Sequence, residues 1–166
     1  MTILMGKKAK EEKTNVMRLL EQAKVEYNHY CYANTEAISG VEVASVLGQN
    51  VDKVFKTLVT VGKSGDHFVF VIPVAEELDL KKAAAAVAEK SIAMVKSKEL
   101  LGLTGYIHGG CSPIGMKKFF TTTIHHTAEE FDTIIFSGGK IGYQVEVSPK
   151  DLKKVINFQY GDIVVS

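Results

Sequence analysis

From Thr14 to Ala23, apolar Val16, Leu19, Leu20 and Ala23 recur at helical spacing and predict an amphipathic first helix. Between Lys24 and Tyr32 the pattern switches to alternation, with Val25, Tyr27 and His29 against Glu26, Asn28 and Tyr30, which predicts a strand. Gly40 to Leu47, followed by Gly48, reads as a short helix with a glycine stop. The clearest hairpin joins Val54–Val61 to His67–Pro73 through Gly62-Lys63-Ser64-Gly65-Asp66, because both arms are rich in β-branched and aromatic residues.

Further along, Asp79 caps a predicted helix through Val87, and the alanines at 83 to 86 let that helix lie close against a sheet. Ser91–Val95 predicts a short strand, and Ser97 a capped helical turn ending at Gly102. Three strands are then expected, at Lys118–Ile124, Thr133–Phe136 and Ile141–Val147, the last two joined by the tight Ser137-Gly138-Gly139-Lys140 connection. Ser148, Pro149 and Asp151 make a helix start, with the helix running to about Asn157. Helices and strands interleave but hairpins dominate, so the expected fold class is α+β with a mixed, mainly antiparallel sheet.

One stretch fits no periodic element. Gly105-Tyr106-Ile107-His108-Gly109-Gly110-Cys111-Ser112-Pro113-Ile114-Gly115 holds four glycines and a proline, a poor helix and a poor strand interior. It is either an ordinary turn or a loop whose glycines bring backbone N–H groups close to a ligand oxygen.

At 166 residues, 46% hydrophobic and without a repeat or dividing linker, the whole chain, 1–166, is expected to form one domain. Its longest weakly polar runs fall far short of the roughly 20 residues a spanning helix needs, so no membrane is expected as a partner. Met1–Met5 is too short for a signal-peptide core and precedes its lysines, which places the expected location in the cytoplasm. Cys31 and Cys111 imply no disulfide framework. Neither a metal site nor any cofactor is expected: His108, His125, His126 and the cysteines lack zinc spacing, and the His125-His126 doublet points its members apart on any regular element.

The formal net charge of +1 argues against indiscriminate nucleic-acid binding but leaves room for a local patch. All but one of the 20 basic residues are lysines, with Lys7, Lys8, Lys10, Lys117, Lys118, Lys140, Lys150, Lys153 and Lys154 near proposed loops and helix starts. Such lysines suit phosphates as mobile point charges, or form a solvated surface.

Familiar catalytic motifs fail on mechanics. Gly110 to Lys117 resembles a phosphate-binding P-loop, but Met116 displaces the lysine and no Ser or Thr follows to hold magnesium. Ser112 lacks the following glycine of a nucleophile elbow. Cys111 is either a thiol nucleophile or a buried small hydrophobe. Lys56, in an apolar β-prone run, either points to solvent by strand alternation or meets an anion in a cleft.

Val54-Phe55-Lys56-Thr57-Leu58, the glycine-rich stretch and Ser137-Gly138-Gly139-Lys140, with Leu78–Lys82 and the terminal Asp151-Leu152 helix, together resemble the YbaK/EbsC family over nearly the whole chain and in order. Its members are related to the editing domain inserted in bacterial prolyl-tRNA synthetases. The resemblance implies a partly barrel-like sheet with flanking helices, and an enzyme that deacylates Cys-tRNA(Pro). The implied partners are the CCA end of aminoacyl-tRNA and prolyl-tRNA synthetase.

By the same resemblance, Lys56 contacts the phosphate or ribose of the terminal adenosine, and Gly109 and Gly110 present amides to the aminoacyl carbonyl. Ser137 and Gly138 line the opposite wall. Tyr32, Phe55 and Thr57 shape the pocket, and Ser112, Pro113 and Gly139 belong to its binding loops. The implied mechanism uses the substrate's own thiol, consistent with a chain in which no nucleophile could be identified. Gln144 stands where relatives often carry an acidic residue, and Cys111 where an apolar one is common. The alternatives are a non-catalytic tRNA- or synthetase-binding regulatory module, or an editor of another mischarged tRNA such as Ala-tRNA(Pro).

Overall fold

The computed structural model describes residues 13–33 and 39–166; Met1–Met5 and the lysines at 7, 8 and 10 lie outside them. Helix α1 (Asn15–Gln22) is capped by Thr14, whose side chain accepts from the Met17 N–H. Its apolar stripe, Val16, Met17 and Leu20, is buried. Strand β1 (Asn28–Cys31) follows. It starts later than alternation predicts because the Val25 N–H still bonds the Leu20 carbonyl and Lys24 takes φ 60°, so the chain turns before it extends.

Helix α2 (Gly40–Leu47) has the capping box Ser39–Glu42 and stops at Gly48, φ 68°. After a 3-10 turn at Val51–Lys53 come β2 (Phe55–Gly62) and β3 (His67–Pro73), the expected hairpin. Then follow α3 (Leu80–Ala86), capped by Asp79, β4 (Ile92–Met94) and α4 (Ser97–Thr104). Lys96 rather than Ser97 is the cap of α4, without a side-chain bond, and the helix passes Gly102 to stop at Gly105, φ 86°.

The chain closes with β5 (Thr121–His125), β6 (Ile134–Ser137), β7 (Tyr143–Val147), α5 (Pro149–Leu152) and β8 (Gln159–Gly161). Strand β5 begins three residues later than expected, its pairing with parallel β3 starting at Phe68↔Thr121 near the first residue of β3. Helix α5 is one turn rather than two. The Val155 and Ile156 N–H groups fold back onto the Leu152 carbonyl, and these β-branched side chains turn toward the core. Strand β8, only three residues long, is too short to show alternation.

The strands form a five-stranded sheet, β4-β2-β3-β5-β8, and a three-stranded sheet, β1-β7-β6. Pairings are antiparallel except β3–β5 and β5–β8, giving the mixed, mainly antiparallel arrangement expected. The partly barrel-like closure is corrected: β4 and β8 remain edges, and a parallel bridge between Val54 and Ile135 links the two sheets.

Strand β3 explains the layering. Val69 and Val71 enter a core with α1, Ile124, Phe136 and Val145, whereas Phe68, Phe70 and Ile72 pack on Ala83 and Ala84 of α3. Being covered on both faces, β3 is apolar at nearly every position, and small alanines bring α3 close.

Candidate active site

Strand β4 pairs with β2 only from Thr60 to Gly62, so the outer edge of β2 before Thr60 has no strand beside it among the described residues. A cavity of about 280 Å³ lies along that edge. Phe55, Lys56, Thr57, Leu58 and Val59 form one wall, and Gly40 and Val43 of α2 another. Gly40 has to be glycine, because a Cβ there would stand 2.4 Å from Val74 Cγ1, another lining residue. Met94, Val95, Ser97 and Leu100 come from β4 and α4, and His108, Gly109 and Cys111 from the glycine-rich loop. Tyr32, Phe136, Ser137 and Gln144 complete the enclosure.

The Val54–Ile135 bridge explains how Lys56 and Ser137 meet: each lies two residues beyond a bridge partner, in strands running the same way. Ser137 is also the register partner of Gln144. Its Oγ accepts from the Gly139 N–H at 3.1 Å, which holds the turn into β7. Lys56 is half-buried, and its ammonium has no ion pair or hydrogen bond among the described residues. A cation beside an apolar wall with no protein anion is suited to a phosphate or another anionic group.

The two loop glycines differ. Gly110 is buried and its N–H donates to the Ile107 carbonyl at 3.0 Å, so that amide is already engaged. A Cβ on Gly110 would come within 3.1 Å of the Ile141 nitrogen, which makes it a close-packing position against the β6–β7 connection. Gly109 is exposed at φ 91°, lines the cavity, and its N–H makes no backbone hydrogen bond among the described residues. Of the two, Gly109 therefore offers the open donor.

Tyr106 braces this loop. Its hydroxyl donates to the Ile114 carbonyl, and its backbone N–H to Thr104 Oγ1. The ring fits because Gly115 and Gly139 carry no side chain: Cβ atoms there would stand 2.9 Å from its hydroxyl and 3.3 Å from Cε1. One ring thus supports both the Gly109 loop and the turn after Ser137.

Five expected residues do not line the cavity, Gly110 with its engaged amide among them. Ser112 is fully buried, and its Oγ accepts from the Ile114 N–H. Pro113 borders a different depression. Gly138 donates to the Tyr143 carbonyl and Gly139 packs on Val16, so both build the turn rather than a wall. Conversely, sequence reasoning left His108, Ser97, Met94 and Gln144 out of the site residues. Gln144 is nine-tenths buried, and its Oε1 accepts from Gln49 Nε2 at 2.8 Å. Nothing in a strand pattern distinguishes such a residue, whereas His108 beside Gly109 was a usable signal.

Burial pushes the Cys111 thiol up to about 12, against a smaller opposing effect of a bond with Thr104. It is therefore neutral near pH 7 and a poor nucleophile. Two residues beyond Gln144, Glu146 is buried, which by itself raises its pKa. Bonds from Lys53 (2.8 Å), Thr133 and Tyr30 outweigh that and hold it at about 2. This cluster ties β1, β7 and the 3-10 turn that leads into Lys56.

The described residues hold one group of metal-ligand type, His125, His126 and Asp162, with ligand atoms within 4.8 Å of one another. The histidine rings approach to 4.4 Å, contrary to the expectation that they diverge, because β5 ends at His125 and a 3-10 turn begins at His126. His125 Nδ1 already accepts from the Ile163 N–H, and Asp162 pairs with Lys82, so two of the three are committed within the protein.

Residues 35–155 match the family described as the aminoacyl-tRNA editing domain. An Enterococcus faecalis protein provisionally named Cys-tRNA(Pro)/Cys-tRNA(Cys) deacylase EbsC is 46% identical over 160 residues, spanning 96% of this chain and 98% of that relative. A crystal structure described provisionally as a trans-editing enzyme for prolyl tRNA synthetase superposes with TM-score 0.78 at 22% identity, over 92% of this chain and 99% of the other. A hypothetical protein superposes at TM-score 0.80 and 18% identity, over 92% and 100%. At those identities the two structures speak to fold alone.

Proposed function

Since the chain belongs to the aminoacyl-tRNA editing domain family, we propose that it is a free-standing deacylase of mischarged tRNA, with cysteine esterified to tRNA(Pro) as its first substrate. The observation that carries this reading is the convergence of Lys56, Gly109 and Ser137, from three distant segments, on one cavity. At about 280 Å³ the cavity lies near the small end of ligand sites, roughly 300–1,000 Å³, and suits an aminoacyl ester with its sugar rather than a length of RNA. A proofreader is needed for this pair because cysteine and proline are close in size, and binding alone discriminates poorly between small side chains.

In the proposed reaction the substrate's thiol, giving up its proton, attacks its own ester carbonyl. A sulfur–carbon bond forms, the carbon–oxygen bond to the ribose breaks, and the ribose hydroxyl leaves with a proton. The cysteine departs as a thiolactone, which water then opens. The Gly109 amide stabilises the developing oxyanion, Lys56 anchors the nucleotide end, and Tyr32, Phe55, Thr57 and Ser137 hold thiol and carbonyl in attacking geometry. The neutral Cys111 thiol supports a mechanism without a protein nucleophile.

Prolyl-tRNA synthetase is the proposed partner, because so small a cavity reaches little of a tRNA beyond its terminus. The test is a panel of purified Cys-tRNA(Pro), Ala-tRNA(Pro), Cys-tRNA(Cys) and Pro-tRNA(Pro), with free thiolactone followed by mass spectrometry. Rapid release of cysteine with a thiolactone intermediate is expected. Binding without deacylation of any species would make the protein a regulatory module, and release of alanine in preference would make it a different editor.

A further inference from the structure

The glycine-rich loop has two sides. Its first half, through Cys111, lines the cavity, while Pro113, Gly115 and Met116 border a second depression of about 260 Å³. Leu19, Pro113, Met116, Phe120, Val155 and Ile156 make that groove apolar. At its rim stands Phe119, 66% exposed, the most exposed of the large hydrophobic side chains described. Folding gives no reason to present a phenyl ring to water, because Phe120, its neighbour, supplies the ring that packs on His67.

Charge narrows the occupant. Lys117 and Lys118 immediately precede Phe119, both are exposed, and neither has an ion pair among the described residues. Two residues before Val155 of the groove, Lys153 lies over the Phe158 and Tyr160 rings, at 5.5 and 5.7 Å. An exposed aromatic face flanked by unpaired ammonium groups is the arrangement that binds single-stranded nucleic acid, the ring stacking a base and the lysines following the phosphates. A purely apolar protein segment would have no use for the lysines.

Distance then links the groove to the cavity. Cys111 and Pro113 are two residues apart, so the two sites are separated at that point by at most about 7 Å of chain. That segment, Cys111 to Ile114, is buried and forms the wall between the two sites, so a strand joining them runs over the outer side of the loop. We propose that the groove is a second nucleotide subsite, in which Phe119 stacks a base of the single strand preceding the esterified terminal nucleotide while Lys117 and Lys118 hold its phosphates. The proposal rests on the deacylase reading for the nucleotide in the cavity.

The experiment compares wild type, Phe119→Ala, Phe119→Leu and a Lys117→Ala/Lys118→Ala double variant. Its substrates are Cys-tRNA(Pro) and the cysteinyl ester of adenosine alone, and anisotropy follows a short uncharged single-stranded RNA ending in CCA. Loss of the ring should weaken RNA binding about tenfold and raise KM for Cys-tRNA(Pro) to match, leaving kcat/KM for the adenosine ester unchanged. Phe119→Leu, which keeps apolar bulk, should behave like Phe119→Ala. The double variant should lower the salt slope of RNA binding by about 1.4.

RNA binding equal to wild type in Phe119→Ala overturns the proposal, whether the groove then serves a protein or nothing. So does an equal loss on both substrates. Should the wild type deacylate nothing while RNA binding still depends on Phe119, the deacylase reading fails and the subsite stands. Because Phe119 is exposed, unchanged thermal melting is expected of all the variants.

Discussion

Val54 and Ile135 pair in a parallel β-bridge, and their strands then part, so that Lys56 and Ser137, each two residues onward, line a shared cavity instead of extending a ladder. The active centre proposed here is thus an interruption in strand pairing. Its polar groups are supplied where sheet hydrogen bonding ends.

Removing the ammonium at that interruption should affect the reaction and leave the fold alone. Lys56→Ala is expected to lower kcat/KM for Cys-tRNA(Pro) about ten- to a hundredfold, the range for a hydrogen bond to a charged group, with an unchanged melting temperature. Lys56→Arg should recover part of the loss. Steady-state deacylation alongside thermal melting checks this, and wild-type rates in Lys56→Ala would remove the residue from the site.

Glu146 makes an opposite prediction, on stability. Its folded pKa of about 2 lies below the ordinary 4.5, so the carboxylate stabilises the fold above about pH 4.5, and that contribution disappears as pH falls through 2. Glu146→Gln should cost about 3 kcal/mol at pH 7. Urea titrations of the two proteins should converge as pH is lowered from 5 to 2. A constant gap across that range would mean the carboxylate charge is not what holds the cluster.

How far the sequence reveals such features depends on how local their causes are. The β2–β3 hairpin, the Gly48 stop of α2 and the Asp79 cap were legible because side chains within a few residues dictate them. Strand β8 and the true start of β5 were not, since both are defined by parallel partners distant in sequence. In the site, Lys56 and Gly109 announced themselves by being out of place in their local patterns. Gln144 did not, because its burial and its bond with Gln49 are created by folding alone. The commitment of the Gly110 amide to Ile107 was equally hidden, since composition cannot say which of two adjacent glycines closes the turn.

The turn after Ser137 should tolerate no side chain. At Gly139 the backbone has φ 94°, and a Cβ would stand 2.7 Å from Val16 Cγ2. Gly139→Ala is expected to destabilise by about 2–3 kcal/mol through backbone strain and overpacking together. Gly65→Ala, at φ 96° with open space around its Cβ position, should cost less. Denaturant midpoints for the pair separate strain from crowding; equal losses would assign the whole effect to the backbone.

Thiol reactivity should divide the two cysteines. Cys111 is buried and its thiol is held neutral to about pH 12, whereas Cys31 is only half-buried. Brief iodoacetamide treatment of the native protein at pH 8 is expected to modify Cys31 well before Cys111. Peptide mapping by mass spectrometry reads the order directly, and prompt labelling of Cys111 would contradict its burial.

The pairing of β1 with β7 joins Asn28 to Glu146, 118 positions apart in the chain. During synthesis the early strand must therefore wait for its mate until almost everything between them has left the ribosome, and Ser137 and Gln144 come into place at the same late moment. The cavity therefore cannot be complete before β7 has been made, however early its other walls have folded.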